Sequence, residues 1–228
     1  MLTTSERRVF DHLAQFVTDH KKQVIRRVLD HRTRYITVVL EDIFQSQNAS
    51  AVIRTCECMG LQEVHIVENI TKYSINPRVL KGANKWMSIQ KHASQKENNT
   101  VTCVSALKES GYSVLALDPD ADGQSILDFD ITSSKVALIF GNELRGLSPT
   151  ALEQCDAKVR IPMYGFTESL NISVSVAICL STLVSRMHES GIDAGLSNDE
   201  KDVIRLAWYR KIVRNSGVIE REFLRAIE

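Results

Sequence analysis

No apolar run in the 228 residues reaches the roughly 18 positions that a membrane-spanning helix needs. The opening residues, Met1 to Arg8, also lack the apolar core of a secretory signal, so a cytoplasmic protein with no membrane partner is expected. Cysteine is sparse: Cys56, Cys58, Cys103, Cys155 and Cys179 are scattered and odd in number, and the gap between the first two is not that of zinc or thioredoxin sites. Reduced, mostly packed thiols are expected. His12, His20, His31, His65, His92 and His188 show no ligand spacing, so no metal is expected. Internal repeats and low-complexity tracts are absent as well. Three matches to the glycosylation sequon, at Asn48, Asn98 and Asn171, carry no meaning without secretion.

Net charge is missing too, with 28 basic residues against 28 acidic. The charge is nevertheless uneven. Arg7, Arg8, Lys21, Lys22, Arg26, Arg27, Arg32 and Arg34 crowd the start, and Arg205, Arg210, Lys211, Arg214, Arg221 and Arg225 the end. Such clusters bind phosphate even when the total balances, although solvated helix faces with interspersed acids have the same composition. No Gly-x-Gly-x-x-Gly follows a strand, which removes the conventional dinucleotide fold. Gly141 to Ser148 frames four residues with glycines, yet Leu147 stands where a P-loop needs its lysine.

What is present describes a globular chain, 43% hydrophobic and 25% charged, with enough apolar content for one substantial core. Thr3-x-x-Glu6 is a capping box, and Val9, Leu13, Phe16, Val24 and Val28 recur at helical spacing, so residues 4–30 are expected as a basic amphipathic helix or helix pair. Strands are expected at 35–40, 64–67, 86–89, 112–117, 135–140 and 158–161, with a helix near 103–110 between two of them. Nearly continuous apolar strands alternating with helices predict an α/β fold, a mostly parallel sheet covered on both faces. Ser148-Pro149 opens a helix that ends near Cys155. The stretch 170–184 is apolar nearly all round, which predicts a helix buried on most sides, and Ser197-x-x-Glu200 caps a last helix running through Trp208. The expected domains are a basic helical extension at 1–34, the main domain at 35–190 and a second basic helical extension at 191–228.

Three segments carry chemistry. Asn48 to Thr55 puts an amide and a guanidinium just past an apolar strand, with Asn48 at a helix start. Arg54, flanked by Ile53 and Thr55, is expected to face the sheet and to need an anionic partner, such as an RNA phosphate. Gly141-Asn142-Glu143-Leu144-Arg145-Gly146 is a turn at the carboxyl end of a strand, where parallel sheets place ligands. Gly141 would let a ligand approach the backbone, while Glu143 and Arg145 either orient a substrate or pair with each other. In Ile161 to Ser173, Ser169 and Asn171 enter the apolar helix as caps, as ligand contacts, or as both.

Taken together, in this order and spacing, the three segments resemble the SpoU/TrmH family of S-adenosyl-L-methionine-dependent RNA ribose 2′-O-methyltransferases, from about Val38 to about Met187. The resemblance implies a SPOUT fold whose C-terminal segment threads a trefoil knot, a cofactor pocket formed by that knot, and a homodimer that completes the site. It implies that Asn48, Arg54, Glu143, Ser169 and Asn171 are the functional polar residues. Leu117, Gly141, Ile161 and Leu170 would contact the cofactor, largely through backbone. The lead-in before Leu40, the basic extensions and Asn84-Lys85-Trp86 point to the subgroup that methylates guanosine 18 of tRNA; another tRNA position or ribosomal RNA is the alternative, and a non-catalytic RNA-binding protein a further one. Arg7, Arg8, Lys22, Arg26, Lys85 and Arg145 are the expected RNA contacts. One departure is Gln47, where the tRNA-acting relatives often carry histidine.

Overall fold

The computed structural model describes residues 1–119 and 124–227, which form two compact units. The smaller unit combines Met1–Arg32 with the chain from Gly195 onward. Its helices are α1 (Thr4–Ala14), α2 (Asp19–Asp30), α8 (Asn198–Ile212) and α9 (Ser216–Ile227). Thr3 and Ser197 each close a capping box, so the boxes read in the sequence are both formed. Phe10 stacks on Tyr209 at 5.3 Å and Arg7 pairs with Asp202 at 2.6 Å, which ties α1 to α8. The sequence pattern predicts the last helix only through Trp208. In the structure the chain turns a corner at Asn215, whose φ of 57° an asparagine tolerates, and α9 follows.

The larger unit, Thr33–Ala194, holds the sheet. Its strands are β1 (Ile36–Glu41), β2 (Glu63–Val67), β3 (Ser88–His92), β4 (Tyr112–Leu117), β5 (Gln124–Ser125), β6 (Lys135–Phe140) and β7 (Ala157–Arg160). They lie in the order β3-β2-β1-β6-β4-β7-β5, and every pairing is parallel. The central β1 is buried along its whole length, as expected of a β-branched run covered on both sides. Alternation sends Ile36, Val38 and Leu40 to one face, where α3 (Ser46–Cys58) and α7 (Ile172–Glu189) pack. Val39, with Ala137 and Ile139 of β6, goes to the other, under α5 (Asn99–Glu109) and α6 (Pro149–Gln154).

The α/β expectation therefore holds, with local differences. Trp86 and Met87 precede β3, because a 3-10 turn at Ala83–Lys85 occupies the approach to it. Helix α5 starts at Asn99, earlier than expected, since the Asn98 side chain accepts from the Thr100 and Val101 amides. A short helix α4 (Pro77–Leu80) fills part of the loop between β2 and β3. Helix α7 is buried along one stripe, from Ile172 and Ser175 to Met187, and Val174 is 45% exposed; its apolar character all round is not matched by burial all round.

Sheet order positions the site. The chain runs outward from β1 through β2 to β3, returns to β4, and then inserts β6 between β1 and β4. Parallel sheets bind ligands at such a reversal, beyond the carboxyl ends of the strands. Residues 42–48, 117–119, 141–148 and 161–171 all leave strands at that end.

Candidate active site

The turn after β6 is built around a mutual backbone pair: Asn142 N–H donates to Gly146 O at 2.9 Å, and Gly146 N–H to Asn142 O at 2.8 Å. This doubles the chain back on itself so tightly that a Cβ on Gly141 would lie 2.2 Å from the Gly146 carbonyl carbon. Gly146 itself has φ +69°, where glycine carries no side-chain penalty. The Asn142 side chain donates to the Asp42 carbonyl at 2.7 Å, fixing the turn to the end of β1. Asp42, held at φ 51°, accepts with one carboxylate oxygen from the amides of Asn69, Ile70 and Thr71. Buried Glu41 accepts from the Ser148 amide at 2.9 Å and the Ser148 hydroxyl at 2.7 Å, fixing the far end of the turn.

Held this way, Glu143 points at the start of α3. Its carboxylate accepts from the Phe44 amide at 2.9 Å, the Gln45 amide at 3.1 Å and the Asn48 side chain at 3.0 Å. Burial pushes the Glu143 carboxyl up, but the donors from Asn48 and the amides of Phe44 and Gln45 outweigh it and hold the group below its ordinary range. The Asn171 side-chain N–H donates to Asn48 Oδ1 at 3.1 Å. Asn171 Oδ1 accepts from the Ser173 amide at 2.9 Å, which caps α7. A continuous hydrogen-bonded chain, Glu143 to Asn48 to Asn171, thus joins three segments that are far apart in sequence.

Beside that chain lies a cleft of about 810 Å³, a volume in the range of small-molecule sites. Leu117, Leu147, Ile161 and Leu170 supply apolar wall, and Asn48, Glu143, Ser169 and Asn171 the polar edge. The family model described as "SpoU rRNA Methylase family" matches residues 35–181, which takes in every strand of the sheet. The chain belongs to this family. It is 45% identical to a tRNA (guanosine(18)-2′-O)-methyltransferase of Borreliella burgdorferi, over 91% of this chain and 93% of the relative. A Thermus thermophilus protein of the same name is 32% identical over 72% of this chain and 81% of its own length. Among solved structures, the TrmH/SpoU tRNA modifying enzyme of Aquifex aeolicus superposes with a TM-score of 0.76 at 29% identity, covering 86% of this chain and 98% of that one.

The SpoU-type segments meet at the cleft, with one exception. Of the polar residues expected to act, Asn48, Glu143, Ser169 and Asn171 line it, as do Leu117, Gly141, Ile161 and Leu170. Arg54 does not. Contrary to the expectation that it faces the sheet, it lies on the solvent side of α3, because Val52, Ile53 and Cys56 take the core positions. The reading of Gly141 also changes: the crowding there comes from Gly146 of its own turn, so glycine is required whether or not a ligand is near. Glu143 spends its carboxylate on α3, and no ion pair joins it to Arg145 among the described residues. Arg145 lines the cleft and is exposed.

Among the expected RNA contacts outside the cleft, Arg8, Arg26 and Lys85 are exposed, while Arg7 is engaged with Asp202 and Lys22 pairs with Asp19 at 3.2 Å. Sequence reasoning passed over Gln45, Glu41, Asp42 and Asn142. Two acids in a row, one closing a buried β-branched strand and one just after it, are the available signal, since buried carboxylates need several donors. All the thiols are free: Cys56, Cys103 and Cys179 are buried, Cys155 is half-buried and Cys58 exposed.

Proposed function

We propose that this protein is an S-adenosyl-L-methionine-dependent methyltransferase acting on the ribose 2′-oxygen of guanosine 18 in tRNA. We place it in the cytoplasm, as a homodimer whose turn after β6 and loop 161–171 form a trefoil knot. The single observation carrying this reading is the Glu143–Asn48–Asn171 chain at the edge of an apolar cleft, in a chain of the SpoU family that aligns over 91% of its length with the tRNA (guanosine(18)-2′-O)-methyltransferase of Borreliella burgdorferi.

The residues fit the cofactor. Leu117, Leu147, Ile161 and Leu170 offer a wall for its base, and residues that end or follow β4, β6 and β7 line the same space. When bound, S-adenosyl-L-methionine supplies a methyl group made electrophilic by its sulfonium. Gly141, Leu117, Ile161 and Leu170 would hold it. Asn48, Glu143, Ser169 and Asn171 would orient the ribose. Arg54 remains cationic at neutral pH, as guanidiniums do. Its role is to grip the neighbouring phosphate and stabilise the developing 2′-alkoxide, with the hydroxyl proton leaving to phosphate or water.

Homodimer formation is supported by the exposed apolar residues around the cleft: Leu144, Tyr164, Phe166 and Val174 stand in solvent in the single chain. A second copy covering them would also supply an environment for Arg54. The deciding experiment is transfer of labelled methyl into a tRNA transcript and into the same transcript with adenosine at position 18. Transfer to the first alone supports the proposal; equal transfer to both, or none to either, overturns it. Within this mechanism, Arg54→Ala is expected to lower turnover on the order of 10²-fold. Cofactor affinity by calorimetry is expected to stay unchanged, and Arg54→Lys to fall between the two.

A further inference from the structure

On the opposite face of the sheet from α3 and α7, three side chains converge that sequence spacing had kept apart. The β2–β3 register sets His65 opposite Gln90, so His92, two residues on, shares a face with His65 and lies diagonally from it. Cys103 faces the same region from the first turns of α5, within the cluster that covers this side of the sheet. His65 Nδ1 lies 3.2 Å from His92 Nε2, and one ring nitrogen of each histidine and Cys103 Sγ fall within 4.8 Å of one another. None of the three lines the cleft.

The spacing has a chemical meaning beyond a histidine pair. Two imidazole nitrogens on one tetrahedral zinc, at ~2.0–2.1 Å each, stand about 3.3–3.4 Å apart, and a nitrogen and a thiolate sulfur about 3.6 Å. The imidazole nitrogens are therefore already at ligand spacing, and a separation from the sulfur of at most 4.8 Å exceeds the ideal by no more than about 1.2 Å, within the reach of a side-chain rotation. A second layer is also in place. Glu63 Oε1 lies 3.3 Å from His65 Nε2, and Glu63 Oε2 lies 3.3 Å from Arg34 Nε. A carboxylate on the outer ring nitrogen is the usual partner of a metal-bound histidine, since it keeps the proton there and turns the other lone pair inward.

We propose that His65 Nδ1, His92 Nε2 and Cys103 Sγ form a three-ligand site for a thiophilic divalent cation, zinc foremost, with water completing the shell on the half-exposed His92 side. The site clips the edge strand β3 and helix α5 to β2, and is structural rather than part of methyl transfer. Without a cation, burial pushes the Cys103 thiol up to about 12 and keeps it protonated. On binding, that proton passes to solvent as the sulfur–metal bond forms.

The test uses the full-length protein, stripped with a chelator under reducing conditions. Zinc is titrated in competition with a chromophoric chelator, and cobalt(II) is followed by absorbance. The expected result is one equivalent per chain, a thiolate-to-cobalt band in the near ultraviolet, and a zinc-dependent rise in the melting midpoint. Cys103→Ser and His92→Gln should each weaken zinc by at least roughly 10- to 100-fold and remove the midpoint rise, Glu63→Gln should weaken it within about that range, and Cys58→Ser should change nothing. No uptake by the parent protein, or uptake that survives both Cys103→Ser and His92→Gln, overturns the proposal and leaves a hydrogen-bonded histidine pair beside a passive thiol. If circular dichroism shows that Cys103→Ser does not fold, His92→Gln on the edge strand decides by itself. None of these measurements depends on methyl transfer.

Discussion

Glu143 is surrounded by three donors from α3 and its approach, and a carboxylate so placed is worth most when ionised. Because its folded pKa is depressed, its contribution is full above the ordinary carboxyl value of 4.5 and is lost as pH falls through the lower folded value. The stability gap between the parent protein and Glu143→Ala is therefore expected to be about 1–3 kcal/mol at neutral pH, where the variant leaves donors unpaired. It should shrink as urea midpoints are followed downward from pH 5. Asn171 separates two roles at one side chain. Asn171→Asp keeps the cap on α7, so stability should stay within about 1 kcal/mol, whereas Asn171→Ala should cost about that much. The aspartate nonetheless removes the N–H that reaches Asn48 and sets an oxygen against an oxygen. Methyl transfer is expected to fall with Asn171→Asp even though the fold holds, which paired melting and turnover assays would show.

At the scale of elements, the turn after β6 is the part least free to vary. Gly141→Ala forces a methyl against the Gly146 backbone and should cost about 1–3 kcal/mol, with a matching loss of cofactor binding by calorimetry. Gly165→Ala, whose added carbon would meet nothing closer than 4.0 Å, is the neutral control. Most elements were legible because their causes are local: capping residues at Thr3, Ser148 and Ser197, and β-branched runs such as Ile36–Leu40. What escaped was set by neighbours. Helix α9 has no residue buried, so its short amphipathic run did not register as core. The late start of β3 follows from the left-handed conformation of Gly82 and the turn after it.

For the whole molecule, the stripe of α7 left open in one chain and the exposed Tyr164 and Phe166 form the surface on which the proposed dimer depends. Sedimentation should show a dimer at micromolar concentration. Tyr164→Ser with Phe166→Ser should shift it toward monomer and lower turnover, while leaving the melting of the isolated chain within about 1 kcal/mol, as expected for exposed positions. The amino-acid sequence by itself determined the α/β class, the capped helices, and which three segments carry polar chemistry, because periodicity, caps and turn residues act over a few positions. Only the tertiary structure decided that Glu143 serves Asn48 rather than Arg145, that Arg54 stands outside the cleft of its own chain, and that two histidines and a cysteine share one face of the sheet. Each of those depends on strand order and register, and packing sets these between residues up to about a hundred positions apart, where no local pattern reaches.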